Sequence, residues 1–335
     1  MGSTHLTHLT HLTHPTHPTH PTHLTHPTHL TYLTHGAILS SHVPPVDLVT
    51  VGEAFQDLIF VGLPHMPKHG EELKTARFVS TIGGGAVITA TAAARLGMRT
   101  AIISGLSAEA AAGLRADHVR VVNLKRAPEP HAITVALSDA RDRSFVTFNG
   151  VNDRLQPRLP AAVARQASRH IHFAFAPDNC PRWTRIVERL RARGVTTSWD
   201  FGWNPPLLRQ RSFGGLVGSL DFVFVNEPEA ALYSRTRRSA SAAVFWRRAA
   251  RNTIIKLGRR GSRWLAATTD LTAPAPRVRP LDTTGAGDAF NGGFLFAWLG
   301  GRQPRECLRI GNFVGARSTL AAGGLLGLPR RRDLP

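Results

Sequence analysis

The residues Asp282-Thr283-Thr284-Gly285-Ala286-Gly287-Asp288 carry the densest chemistry in the 335-residue chain. Thr283 and Thr284 are good helix N-cap residues, and from Ala286 to Leu299 the apolar side chains of Ala289, Phe290, Phe294, Ala297 and Trp298 recur at helical spacing. A helix therefore starts within the glycines. Gly285 and Gly287 let the backbone approach a ligand closely, and the free amides of the first turn, with the helix dipole behind them, attract a phosphate-like anion. Asp288 cannot hold that anion by charge, but it can take a proton from a hydroxyl about to attack phosphorus. On spacing alone the same pattern also fits a plain turn followed by a first-turn helix acid, which the dipole favours in any protein.

The elements that must position this turn follow a regular rhythm. Asp47 to Glu53 is an apolar run ending in glycine, as a buried first strand would be. Phe78 to Ile82 leads into Gly83-Gly84-Gly85 and then an alanine-rich helix that stops at Gly97, a strand-loop-helix unit. Arg99 to Gly105 reads as a strand, and Ala132 to Leu137 and Ser144 to Asn149 alternate as a hairpin about the polar turn 138–143. Further strands begin near His170, Thr196, Asp221 and Thr253, with helical patterns at Pro181 to Arg193, Leu207 to Gly218 and Glu227 to Arg251 between them. A last helix spans Arg305 to Ala322. This alternation predicts an α/β fold of βαβ units around a parallel sheet, whose ligand lies beyond the carboxyl ends of the strands. Asp200 and Asn226 each close a strand at that end. No G-x-x-x-x-G-K-[ST] sequence is present, so the phosphate site is not a P-loop.

Composition narrows the function classes. Basic residues outnumber acidic ones 41 to 22, and all but Lys68, Lys74, Lys125 and Lys256 are arginines. The arginines are scattered over helix faces or sit in short pairs, with no aromatic-interleaved basic module, so no specific nucleic-acid binding is expected. Two cysteines, Cys180 and Cys307, cannot build a disulfide framework and point to a reducing, cytoplasmic compartment. No apolar run approaches the roughly 18 residues of a membrane span. Residues 4–36 form eleven Thr-His-x triplets, or close variants, holding ten of the seventeen histidines. Such a tract can chelate a metal but cannot bury a face, so residues 1–45 are expected to be a disordered extension and folding to begin near Val46.

The stretch D-T-T-G-A-G-D-A-F-N-G-G-F, residues 282–294, resembles the C-terminal signature of the ribokinase-like (PfkB) carbohydrate kinases over its whole length. The resemblance extends over about residues 47–329. It implies a doubly wound, mostly parallel sheet flanked by helices, within a domain of residues 46–330. It also implies a small β lid with strands at about 54–82 and 131–150. The implied activity is phosphorylation of a sugar-like alcohol by ATP, with Asp288 as general base, the amides of Gly285, Ala286 and Gly287 as the anion hole, and Mg2+ and K+ as further cofactors. Asn226 and Glu229 match an Asn-x-x-Glu motif that orders Mg2+ through its waters, and Asp282 lies by a monovalent-cation site. Lys256, Gly258 and Gly261 fall on a nucleotide-contacting loop, and Asn312 falls near the adenine.

On the sugar side, the resemblance makes Asp57, Gly83, Gly84 and Asn152 substrate contacts. A carboxylate such as that of Asp57 accepts two hydroxyl hydrogen bonds, which suits a vicinal diol. Residues 142–145 and 150–152 look most like fructokinase-like members. The chain departs from the family at Gly85, where Lys or Asn is usual, and at Ile88, where a sugar-contacting Asn is usual; both changes remove polar groups expected at the substrate site. Family lids often pair into homodimers. The alternatives are a nucleoside kinase of the same family, or a non-catalytic relative that binds a nucleotide or partner, though an intact Asp288 argues against the latter.

Overall fold

In the computed structural model, residues 45–139 and 143–335 are described. The Thr-His-x tract and residues 140–142 of the turn expected at 138–143 lie outside the described residues. The chain opens with β1 (Val46–Gly52), passes to β2 (Phe55–Val61) and β3 (Arg77–Gly83), and enters α1 (Gly85–Arg95). There follow β4 (Thr100–Ser104), α2 (Ala108–Ala116), β5 (Val119–Asn123), β6 (Ile133–Ser138) and β7 (Arg143–Phe148). The second half runs α3 (Leu159–Ala164), β8 (Ser168–Ala174), α4 (Cys180–Ala192), β9 (Thr196–Asp200), α5 (Phe213–Ser219) and β10 (Phe222–Asn226). It continues through α6 (Glu227–Ser234), α7 (Ser239–Ala249), β11 (Asn252–Lys256), β12 (Ser262–Ala266) and β13 (Asp270–Ala273), and closes with α8 (Ala286–Leu299) and α9 (Pro304–Ser318).

Nine strands form one sheet in the order β13-β12-β11-β10-β9-β8-β1-β4-β5, and β3-β2-β6-β7 form a second, four-stranded sheet. Pairing in the large sheet is parallel from β11 through to β5, and only the β12–β13 hairpin at one edge runs antiparallel. The expected doubly wound sheet and small lid are thus both present. Burial on both faces explains the near-continuous apolar strands. One face is covered by α3 to α7 around Trp183, Trp199 and Trp246, the other by α1, α2, α8 and α9 around Phe224, Phe294 and Leu308.

The helix pattern read across Glu227 to Arg251 resolves into two helices. Arg235 adopts a left-handed conformation, φ 55°, at the C-cap of α6, and residues 235–238 turn the chain before α7. The pattern at Leu207 to Gly218 splits likewise, into a short 3-10 turn at Pro205–Arg209 and α5, with Gln210 extended between them. Likewise α9 ends at Ser318, before Gly323 and Gly324.

Two contacts fix the helix of the central motif. On α8, Gly292 lies against Ala92 and the carbonyl of Thr89 on α1, close enough that a methyl group there would sit 2.7 Å from each. Thr89 also donates its hydroxyl to the Asp288 carbonyl at 3.0 Å, so α1 holds the first turn of α8 in register. Among the described residues no helix is long and apolar enough to cross a membrane.

Candidate active site

Gly285 is the N-cap of α8 with φ +69°, a left-handed conformation that glycine adopts without strain. Its α-carbon also abuts the Ile88 side chain so closely that any side chain would overlap Ile88 Cδ1. Ile88 is 3% exposed and packs against Gly285 and Gly324, so it supports the turn from below and does not stand open to a substrate. The loop is tied at its other end by Asp282. One Asp282 oxygen accepts from the Thr284 amide at 2.8 Å and hydroxyl at 2.7 Å, and the other accepts from the Gly323 amide at 2.9 Å.

Asp288 projects from the first turn between two groups of residues. On one side is the glycine loop: a methyl at Gly85 would stand 3.0 Å from Asp288 Oδ1 and 3.1 Å from Ala174. Gly83, two residues earlier, lies directly under the Asp57 carboxylate, where a side chain would overlap it. Two residues of chain span at most about 7 Å, so the carboxylates of Asp57 and Asp288 overlook one short loop. Gly84 between them turns the chain with φ +106° against the Glu53 carbonyl. On the other side is the first-turn backbone with Lys256, whose Nζ would be 3.1 Å from a methyl on Gly287.

Behind Gly287 opens a cavity of about 630 Å3, lined by Asn226, Lys256, Gly258, Gly261, Phe290 and Asn312 among others. All five residues expected to meet the nucleotide therefore border one space, together with Ala286 and Gly287 of the expected anion hole. Its walls include Ala275, Pro276, Val278, Pro280 and Ala316, an apolar slot of the kind that takes a planar base, and its floor is the amide-bearing turn. Asn312 Nδ2 donates to the carbonyls of Ala273 at 3.0 Å and Pro274 at 3.2 Å, holding the segment that forms the wall.

Asn226 and Glu229 form a capping box at the start of α6. Asn226 Oδ1 accepts from the Glu229 amide, Glu229 Oε2 accepts from the Asn226 amide, and Asn226 Nδ2 donates to Glu229 Oε1, each at 2.8 Å. Among the described residues no cluster of three or more His, Cys, Asp or Glu is arranged to hold a metal by itself. Asn152 is buried within the turn after β7 and donates to the Ala54 carbonyl at 3.1 Å. It thus braces the crossing from β1 to the lid, and its Oδ1 is buried without a partner among the described residues.

Burial sets the electrostatics. Desolvation, and the nearby charges of Asp200 and Glu229, push the Asp288 carboxyl up to about 7, with Lys256 opposing them. Burial, with Asp282 as a like charge, lifts Asp57 to about 6. Burial opposes the charge on Lys256, but Asp200, Glu229 and Asp288 outweigh it and raise the ammonium above its ordinary value. Sequence reading placed Asp200 at a strand end without a role and passed over Asn291. Asp200 joins the other two here: Lys256 Nζ lies 2.6 Å from Asp200 Oδ2, which also accepts from Asn291 Nδ2 at 2.8 Å. The signal available was the position of Asp200 at the carboxyl end of a central strand.

An amide-rich helix start facing a nucleotide-sized cavity, with a buried carboxylate turned toward a lidded loop, is the layout of a phosphotransferase acting on a small alcohol. The pfkB family carbohydrate kinase model matches residues 46–331, and the chain belongs to that family. It is 25% identical to a ribokinase of Arabidopsis thaliana over 321 residues, covering 88% of this chain and 81% of that one. It is 35% identical to the fructoselysine 6-kinase of Escherichia coli over 133 residues, 39% of this chain and 47% of that one. The fold superposes on the structure of Arabidopsis thaliana ribokinase complexed with ribose and ATP with a TM-score of 0.69 at 21% identity, over 87% of this chain and 97% of that one.

Proposed function

We propose that the protein transfers the γ-phosphate of ATP to a hydroxyl of a small, fructose-like sugar. The observation that carries this reading is the position of Asp288, with the Gly83–Gly85 loop and Asp57 on one side and the Gly287 turn, Lys256 and the 630 Å3 cavity on the other. A sugar held by Asp57 over that loop would bring a hydroxyl to Asp288. Asp288 would accept its proton, and the amides of residues 285–288 with Lys256 would face the charge of the transferring group. The cavity suits the adenosine half in size and character, and relatives of this fold are described with ATP bound.

The capping box engages Asn226 and Glu229 with one another. A magnesium ion here would thus be held chiefly by phosphate oxygens and water, with that pair ordering the waters. Magnesium would supply charge neutralisation of the phosphates. A potassium ion beside the loop that Asp282 ties together would steady the anion-binding turn.

The test is ATP consumption by the purified protein with Mg2+ and K+ against ketohexoses, fructosamines, aldopentoses and nucleosides. Turnover with a ketose or its amine adduct is the expected result. Turnover with ribose or a nucleoside alone would move the substrate and keep the mechanism, and failure with every compound would reject the kinase reading.

We further infer that the lid pairs with the lid of a second copy. The registers of β2 with β3 and β6 put Leu58 and Phe60 on the face opposite Asp57, beside Phe78, Val146 and Phe148, which are 53%, 69% and 55% exposed. A soluble monomer seldom leaves so contiguous an apolar face in water. Sedimentation velocity should give a dimer at micromolar concentration and a monomer for Val146→Glu; a monomeric parent protein would refute the pairing.

A further inference from the structure

We propose that Asp200 is a positioning residue for phosphoryl transfer: its buried carboxylate clamps the ammonium of Lys256 over the first turn of α8, where Lys256 meets the transferring phosphoryl group. The proposal rests on the kinase reading for what Lys256 meets, and on geometry for the clamp.

Lys256 ends β11 and Asp200 ends β9, with β10 between them, so the pair reaches across a strand at the carboxyl end of the sheet. The two side chains are only 13% and 9% exposed at a separation of 2.6 Å. The same Asp200 oxygen takes the hydrogen bond from Asn291, which is fully buried on α8 one turn beyond Asp288. The carboxylate therefore links the catalytic helix to Lys256 and fixes both distances. Without it, a four-carbon side chain with three rotatable donors would have many positions open to it beside Gly287.

Every neighbour of this pair agrees with the assignment. From β8, His172 faces Asp200 as a neutral imidazole, with Nδ1 bonded to Ser198 Oγ at 2.8 Å, and adds no competing counter-ion. From α6, Glu229 is already engaged by Asn226. From α8, Asp288 is the third acid near the ammonium. Three acids therefore surround one lysine, and a buried ion pair is by itself a poor source of stability. Gly287 is the point where the ammonium comes nearest the amide turn, and a methyl there would press on Nζ at 3.1 Å. The clamp thus holds one positive charge beside the amides that receive the anion.

The experiment is a double-mutant cycle with Asp200→Asn, Lys256→Met and the two combined. It is read by kcat, by the Kd for MgATP from calorimetry without sugar, and by melting temperature. Each single variant should lower kcat about 100-fold, the size of effect found when one donor to a developing charge is removed, and weaken MgATP about tenfold. The double variant should be no worse than Lys256→Met alone, because Asp200 acts through Lys256. Losses that multiply, or an Asp200→Asn variant with parental kcat and Kd, would overturn the proposal.

If Asp200→Asn fails to fold because Lys256 is left buried without its partner, Asn291→Ala takes its place. That variant keeps the ion pair and removes one hydrogen bond, and it should lower kcat several-fold at unchanged melting temperature; an unchanged kcat would overturn the clamp. A parent protein that phosphorylates no sugar defeats the kinase reading but leaves the clamp testable. In that case a tenfold weaker MgATP Kd in Asp200→Asn supports the clamp, and an unchanged Kd rejects it.

Discussion

Replacing Asp288 by Asn is expected to lower sugar phosphorylation by roughly 10²- to 10⁴-fold, the range that general-base catalysis supplies, while ATP still enters its cavity. The amide keeps the shape of the side chain against Gly85 and removes only its ability to take a proton. Stopped assays with sugar, paired with calorimetric ATP binding, measure the two halves of this expectation; near-normal turnover would discard Asp288 as the base. The parent enzyme should also show an acid limb, since the carboxyl sits at about 7 and only its ionised form accepts a proton. Below that value kcat/KM should fall about tenfold for each pH unit.

Stability should move the other way. The folded-state value lies above the ordinary carboxyl value of 3.8, so folding disfavours the ionised form. That penalty is fully present above about pH 7 and disappears as the pH falls toward 4. Asp288→Asn should therefore melt higher than the ligand-free parent at pH 8, by about 2–4 °C for each kcal/mol of repulsion relieved, and the gap should close in acid.

Replacing Asp57 by Ala should lower kcat/KM for the sugar by roughly 10²- to 10⁴-fold, since each hydrogen bond to a charged group contributes about 1.5–3 kcal/mol and this carboxylate can take two hydroxyls. The ATP Kd should stay within about twofold, because Asp57 lies over the glycine loop and not on the nucleotide cavity. Initial rates with sugar varied at saturating ATP give the answer. A kcat/KM within threefold of the parent would remove Asp57 from the substrate site. Asp57→Asn, which keeps one acceptor oxygen over Gly83, should fall between the two.

Much of this architecture was legible in the sequence because local signals and tertiary geometry agree. Thr283 to Gly287 marks a helix start, and the structure puts an N-cap at Gly285. Strand ends alternate with helix starts, and Asn226 and Lys256 emerge paired on adjacent parallel strands at the wall of the cavity. What escaped depends on contacts between distant parts of the chain. Asp200, Lys256 and Asn291 are far apart in sequence, and no spacing rule joins β9, β11 and α8. Ile88 and Gly85 read as lost sugar contacts because their types are apolar. In the fold Ile88 fills the space under Gly285, and Gly85 makes room for the Asp288 carboxylate. The break inside 227–251 escaped because Arg235 is not a residue that announces a left-handed turn.

At two of its junctions the lid is joined to the main body by very little chain. Glu53 and Ala54 separate β1 from β2, and Gly84 alone separates β3 from α1. The seven residues 83–89 therefore run from the floor beneath Asp57, past the flank of Asp288, to the hydroxyl that bonds the Asp288 carbonyl. This makes the lid a lever with a short arm. Under the proposed function, a sugar held by Asp57 would press on the same backbone that borders Asp288, which would couple occupancy of the sugar site to alignment of the proton acceptor.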